Sequence, residues 1–108
     1  MIITPMVRNN IFLNAHPEGC AREVLLQIDQ TGSLKAKIGA TGTATRRLPK
    51  HVLVIGCSTG YGLASRIVAA FAYGASTVGF SYEKEPTPAK TASPGWYANK
   101  TFDAEAAK

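Results

Sequence analysis

The stretch "HVLVIGCSTGYGLASR", residues 51–66, decides the fold, because it joins a strand pattern to a glycine turn and a helix pattern. Residues 52–55 form a continuous apolar run, which is typical of a strand covered on both faces in a parallel sheet. Apolar residues then recur on one side of the segment 61–73, which predicts a helix that Gly74 ends. The run at 76–83 predicts a second strand, so the whole segment is a βαβ unit.

The N-terminal part of the chain has weaker patterns. Short β-prone runs in "MIITP" and "NNIFLNA" predict a hairpin or two short strands, with "PMVRNN" supplying the turn. Residues 17–19, Pro-Glu-Gly, predict a break, after which a short helix starts near Cys20. Glycines and threonines interrupt any pattern in residues 29–50, which leaves that structure undetermined apart from one or two helical turns in "SLKAKI".

The C-terminal part predicts a loop, "KEPTPAKTASPG", and then a helix in which Ser93 is the N-cap and Pro94 the first helical residue. We therefore divide the chain into an N-terminal extension (1–50), the βαβ unit (51–83), and a loop with the start of a helix (84–108). The fold class is α/β, a Rossmann-like doubly wound parallel sheet of which only the extension and the first βαβ unit are present. Because such a partial sheet closes no core, we expect this chain to be the N-terminal part of a longer domain.

Composition restricts the partners and the location. The chain has 108 residues, a net charge of +5 and a pI near 9.5, which suits anionic partners such as nucleotides, coenzyme A or nucleic acid. Cys20 and Cys57 lack the spacing of a metal site, and we expect free thiols and no metal. Without a secretory signal or the roughly 20 apolar residues of a membrane span, the sequence predicts a cytoplasmic protein with no membrane partner.

Residues 56–60, Gly-Cys-Ser-Thr-Gly, match the G-x-S-x-G turn that presents a nucleophilic serine between a strand and a helix. In α/β-hydrolases the acid and the histidine follow that serine along the chain. Here His16 and His51 both precede Ser58. A serine hydrolase that uses Ser58 is therefore kept as an alternative hypothesis.

The same turn also matches a dinucleotide-binding loop. Gly56 permits a tight turn after the strand, while Gly60 and Gly62 remove side chains where phosphates approach and where the helix packs on the strand. Amides at the helix start favour a pyrophosphate, and Ser58 and Thr59 offer hydroxyl hydrogen bonds. This arrangement explains more residues than the hydrolase hypothesis does.

An acidic residue follows the glycine turn at the end of the second predicted strand, where dinucleotide-binding units often carry one. Glu83 ends the predicted second strand, where a carboxylate accepts hydrogen bonds from the adenosine ribose hydroxyls. A carboxylate at that position repels a 2′-phosphate. The pattern therefore favours NAD over NADP as the cofactor.

Four stretches of the chain closely resemble the trans-2-enoyl-CoA reductase family, which includes NADH-dependent enoyl-acyl-carrier-protein reductases. They are "MIITPMVRNNIFLNAHPEGC", "GCSTGYGLASRI", "AAFAYGASTVGFSYEK" and "PGWYANKTFD". The resemblance implies an extended Rossmann fold related to short-chain dehydrogenases. It also implies reduction of the trans-2 double bond of enoyl-CoA or enoyl-acyl-carrier protein by NADH, in fatty acid biosynthesis.

The resemblance further implies roles for individual residues. Those that would cradle NAD are Gly56, Cys57, Ser58, Thr59, Gly60 and Tyr61, and those that would contact its adenosine half are Tyr82 and Glu83. The family's catalytic tyrosine and lysine are expected beyond Lys108, so no catalytic residue is assigned in this chain and the piece alone is expected to be inactive. A non-catalytic module that binds nucleotides or nucleic acid is a further alternative, motivated by the positive charge.

Overall fold

The computed structural model describes residues 2–4, 6–8, 11, 12, 14–40 and 48–108. The elements are β1 (Val7–Arg8), β2 (Ile11–Phe12), α1 (Pro17–Ala40), β3 (His51–Ile55), α2 (Gly60–Ile67), a π-helical turn (Val68–Ala72), β4 (Ser76–Phe80) and α3 (Pro94–Ala106).

The predicted βαβ unit is present. β3 and β4 are parallel and pair residue by residue from His51 with Ser76 to Ile55 with Phe80, while α2 and the π-helical turn form the crossover. β4 ends at Phe80 rather than at Glu83 as predicted, because β3 turns away at Gly56 and leaves the following residues without a partner strand. The helix does not run unbroken to residue 73 either, since its last turn is π-helical before Gly74 adopts a φ of +70°.

The predicted N-terminal hairpin is also present, with different boundaries. β1 and β2 pair in an antiparallel manner, Val7 with Phe12 and Arg8 with Ile11. β1 therefore lies inside "PMVRNN", which was predicted to be the turn, whereas the described residues 2–4 of "MIITP" form no strand.

The helix α1 corrects the prediction for residues 17–40. It runs unbroken for 24 residues from Pro17, although a break was expected at its start and the structure from residue 29 onward was left undetermined apart from one or two helical turns in "SLKAKI", which lie within this helix. Proline is tolerated in a first helical turn, and the interior Gly32 costs only about 1 kcal/mol. Packing of α1 on α3 and on the π-helical turn overcomes that cost. Residues 41–47 of the undetermined stretch lie outside the described residues.

The core lies between α1, α2 and α3. Its buried side chains are Val24, Leu63, Ile67, Ala98 and Phe102. Phe102 is 1% exposed and meets the ring of Phe71 edge to face, with centroids 5.5 Å apart. The predicted helix start at Ser93 and Pro94 is confirmed, and it places α3 over this core.

A buried arginine ties the helices to the sheet. Arg66 on α2 donates from Nε to Thr77 Oγ1 of β4 at 3.1 Å, and its Nη2 lies 3.6 Å from Asp103 Oδ1. Its guanidinium also stacks over Phe102, 4.1 Å from the ring centroid. The charge is therefore satisfied on three sides, as a buried cation requires.

The sheet is covered on one face by the described residues, whereas the apolar run of β3 predicted cover on both. Thr77 and Gly79 face α2, because Thr77 bonds Arg66 and a Cβ at Gly79 would lie 2.8 Å from Arg66 Nη1. The opposite face is apolar and exposed, and consists of Leu53, Ile55, Val78 and Phe80. No helix in the described part of the chain is long and apolar enough to span a membrane.

Candidate functional site

The glycine turn connects the carboxyl end of β3 to the start of α2. Gly56 and Gly60 adopt φ values of +78° and +57°, in the left-handed region that favours glycine. A Cβ on Gly62 would meet the carbonyl oxygen of Gly56 and would lie 3.3 Å from the Cα of Cys57. The amides of Gly56 and Cys57 both donate to the Phe80 carbonyl, at 2.7 and 3.3 Å, which anchors the turn to β4.

The outer side of the turn is open. A Cβ on Gly56 or Gly60 would meet no atom within 4 Å, Thr59 is exposed, and Tyr61 is 94% exposed. The first amides of α2 have no acceptor within the helix, and they lie at the positive end of the helix dipole. The turn can therefore hold an anion such as a phosphate against its backbone.

Cys57 faces inward rather than toward this open side. Its side chain is 2% exposed, and its Sγ lies 3.8 Å from Asn99 Oδ1 on α3 as a weak donor. Asn99 in turn donates from Nδ2 to Ser81 Oγ at 2.8 Å, just beyond β4. Of the predicted cradle residues, Cys57 thus offers only its backbone to a ligand, and Asn99 is a supporting residue that no sequence pattern indicated.

Ser58 is also turned inward, and this changes the role predicted for its hydroxyl. Ser58 is 8% exposed, and its Oγ donates to Glu83 Oε1 at 2.6 Å. The second carboxylate oxygen, Oε2, accepts a hydrogen bond from Ser93 Oγ. The Ser58 hydroxyl is thus engaged by Glu83, whereas the sequence suggested that it was free to bind a phosphate.

The same geometry disfavours the hydrolase hypothesis. A nucleophilic serine needs a histidine base within hydrogen-bond reach, whereas the Ser58 hydroxyl donates to a carboxylate. His16 accepts the Gly19 amide at Nδ1, 3.3 Å away. His51 lies at the far end of β3 from the turn, five residues that each rise about 3.3 Å.

Glu83 lies beside an open cleft of about 430 Å³ at the carboxyl end of the sheet, lined by residues 82–85, 87 and 90–94. Tyr82, the other residue predicted to contact adenosine, is 87% exposed there, with Lys84 Nζ 5.9 Å from its ring centroid. Glu83 and Tyr82 therefore lie at the same end of the sheet as the glycine turn, as the predictions require.

A second cleft, of about 290 Å³, lies between the turn and the first half of α1. Ser58, Thr59 and Gly60 line one side of it, and Cys20 lies on the other. Burial raises the pKa of the Cys20 thiol above its usual value, so this cysteine is protonated at neutral pH and is a poor nucleophile.

Comparisons with known proteins identify the family of the chain. Residues 2–88 match the family model described as the NAD(P)H binding domain of trans-2-enoyl-CoA reductase. Over its whole length the chain is 58% identical to a trans-2-enoyl-CoA reductase [NADH] of Treponema denticola. Over 98% of its length it is 53% identical to an enoyl-[acyl-carrier-protein] reductase [NADH] of Pseudoalteromonas atlantica.

Solved structures give the same result. The chain superposes on the Treponema denticola trans-2-enoyl-CoA reductase in complex with NAD with a TM-score of 0.86, at 56% identity over 99% of this chain. A Clostridium trans-2-enoyl-CoA reductase in complex with NADH gives a TM-score of 0.79 at 38% identity over 99% of this chain. The chain spans about a quarter of the length of these relatives, 26% and 25% for the two structures.

Proposed function

The chain belongs to the trans-2-enoyl-CoA reductase family, and from that premise we propose that it forms the cofactor-binding part of an enzyme that reduces the trans-2 double bond of an enoyl thioester with NADH. One observation supports this most strongly: the open glycine turn, residues 56–62, lies at the same sheet end as the carboxylate of Glu83. A pyrophosphate bound at the turn and a ribose bound at Glu83 are the two fixed points of a bound NAD.

The described residues fit such a cofactor. The open space outside Gly56 and Gly60 leaves room for phosphates to contact the backbone. The amides at the start of α2, from Gly60 and Tyr61 onward, are the groups that would bind the pyrophosphate. Gly62 keeps α2 close to the turn, so those amides stay aligned.

At the adenosine end, Glu83 would accept hydrogen bonds from the ribose hydroxyls, and the exposed ring of Tyr82 would pack beside the adenine. A negative carboxylate near the 2′ position repels a 2′-phosphate, which favours NADH over NADPH. The segments then have distinct roles: residues 51–83 bind the cofactor, the cleft residues from Lys84 to Pro94 lie beside its adenosine end, and α1 packs on α3 and on the π-helical turn.

When bound, the nicotinamide supplies the hydride that reaches the β-carbon of the enoyl thioester. The residues of this chain bind and orient that cofactor, and we assign no proton donor among them. Tyr97, for example, has a structural role, because its hydroxyl accepts the Ala92 amide at 3.1 Å. The proposal includes enoyl-CoA or enoyl-acyl-carrier protein as substrate, a cytoplasmic location and a role in fatty acid biosynthesis.

The test of this proposal is the activity of the full-length protein that contains this chain. We expect it to oxidise NADH when a short trans-2-enoyl-CoA is added, and to release the saturated acyl-CoA in equal amount. The saturated acyl-CoA added in place of the substrate is the control, because it offers no double bond. If NADH stays unoxidised with both enoyl-CoA and enoyl-acyl-carrier protein, the proposed function is wrong.

A first prediction concerns cofactor choice. Glu83→Ala in the full-length protein should narrow the preference for NADH over NADPH by roughly 10-fold or more, because it removes charge-assisted hydrogen bonds to the ribose and the repulsion of a 2′-phosphate. The measurement is the KM for each nucleotide at saturating enoyl thioester.

The matched control is Glu85→Ala, which removes an exposed carboxylate from the same cleft. It should leave the KM ratio close to that of the unmodified protein. An equal change in both variants would mean that general charge, and not the position of Glu83, sets the preference.

A further inference from the structure

We infer that Ser93 is a positioning residue for cofactor choice, because it holds the Glu83 carboxylate in the place where that carboxylate separates NADH from NADPH. This inference rests on the proposed function and adds to it a residue outside the glycine turn. Ser93 acts through Glu83, to which its hydroxyl donates.

The hydrogen bonds carry the argument. Glu83 Oε1 accepts from Ser58 of the turn at 2.6 Å, and Oε2 accepts from Ser93 at the start of α3. Each oxygen thus has one protein donor, while a carboxylate offers about four acceptor sites. The carboxylate is fixed in two directions and can still accept the hydroxyls of a ribose.

The start of α3 interacts with the Glu83 carboxylate through its N-cap serine. A serine at an N-cap ordinarily accepts a hydrogen bond from an amide of its own helix, but Ser93 makes no such side-chain bond and donates to Glu83 instead. The first turn of α3 carries no acidic residue, so Glu83 supplies the negative charge that stabilises a helix N-terminus.

The residue after Pro94 leaves space for the same group. A Cβ on Gly95 would meet Glu83 Oε1 and would lie 2.8 Å from Glu83 Cδ and 2.7 Å from Ser58 Cβ. The carboxylate therefore packs directly against the backbone of α3. Any larger residue at position 95 would push it away.

Position matters because a glutamate on a free side chain swings away from an incoming phosphate. A carboxylate held by two hydroxyls cannot move without breaking a charge-assisted hydrogen bond. The fixed Glu83 carboxylate therefore cannot move away from a 2′-phosphate to reduce the repulsion. It also binds ribose hydroxyls without a further loss of side-chain entropy.

The experiment measures dissociation constants of NADH and NADPH for the full-length protein by nucleotide fluorescence. Ser93→Ala should lower the ratio of the NADPH constant to the NADH constant by about 3- to 10-fold, the scale of the net contribution of one typical hydrogen bond. Ser93→Thr keeps the hydroxyl and should restore the ratio. Ser65→Ala, an exposed serine on α2, is the matched control and should leave it unchanged.

The same substitution in a Glu83→Gln protein distinguishes a positioning role of Ser93 from general structural damage. In Glu83→Gln protein, Ser93→Ala should cause no further change in the ratio, because the charge that it positions is gone. An unchanged ratio in Ser93→Ala alone, or an equal fall in both backgrounds, would overturn the inference.

The two proposals fail in different ways. If the protein binds NADH but reduces no enoyl thioester, the proposed function is wrong. The ratio of the NADPH and NADH dissociation constants still tests the role of Ser93. If it binds neither nucleotide, both are wrong. If it reduces the thioester and Ser93→Ala keeps its ratio, only the role of Ser93 is wrong.

Discussion

Gly62→Ala should raise the dissociation constant for NADH of the full-length protein by roughly 10- to 100-fold, the effect of losing one hydrogen bond to the charged pyrophosphate. The added methyl would meet the carbonyl oxygen of Gly56 and lie 2.7 Å from its carbonyl carbon. Both are backbone atoms with no rotamer to change, so the turn or α2 must move. The amides that would bind the pyrophosphate then lose their alignment.

The control for this prediction is the same substitution where there is space. Gly32→Ala lies in the interior of α1, where a Cβ would meet nothing within 4 Å. That variant should bind NADH normally and gain up to about 1 kcal/mol of stability, since alanine is the better helix former. NADH binding by Gly62→Ala within twofold of the unmodified protein would show that the turn does not hold the cofactor.

Phe102→Ala should lower the free energy of unfolding by about 3–5 kcal/mol, the range for a large aromatic side chain deleted from a core. Phe102 is 1% exposed, packs edge to face on Phe71 and lies under the guanidinium of Arg66. Its loss leaves a cavity, and it also removes the ring that covers a buried charge. Chemical denaturation of the full-length protein measures the change.

The control is Ala104→Ser, an exposed position on the same helix. A surface change of this kind should alter stability by no more than about 0.5 kcal/mol. A loss below about 1 kcal/mol in Phe102→Ala would mean that α3 is not seated on the core as described.

Local patterns predicted the parts of the fold that depend on neighbouring residues. The apolar run of β3, the glycine turn and the proline at the start of α3 all lie where the sequence indicated. Each depends on backbone sterics or on the spacing of side chains within one segment. The family resemblance was confirmed as well, by the family model over residues 2–88 and by a relative that is 58% identical over the whole chain.

The helix α1 could not be predicted in the same way. Gly32 and the threonine before it lower the helical preference of the segment. The local sequence shows this loss of helix propensity but not the tertiary contacts that offset it. In the fold, Thr31 is buried and its hydroxyl donates to the Ile28 carbonyl at 2.6 Å, while Val24 enters the core. Tertiary contacts thus compensate for a weak local preference.

By itself, the sequence determined that the chain makes a βαβ unit with an open glycine turn, because φ preferences and apolar spacing act over a few residues. Only the tertiary structure decided that the hydroxyls of Ser58 and Ser93 meet on the carboxylate of Glu83. Those residues are 25 and 10 positions from Glu83 along the chain. Their hydrogen bonds exist because packing of α3 against the turn brings three separate segments within about 3 Å, a distance that no local pattern specifies.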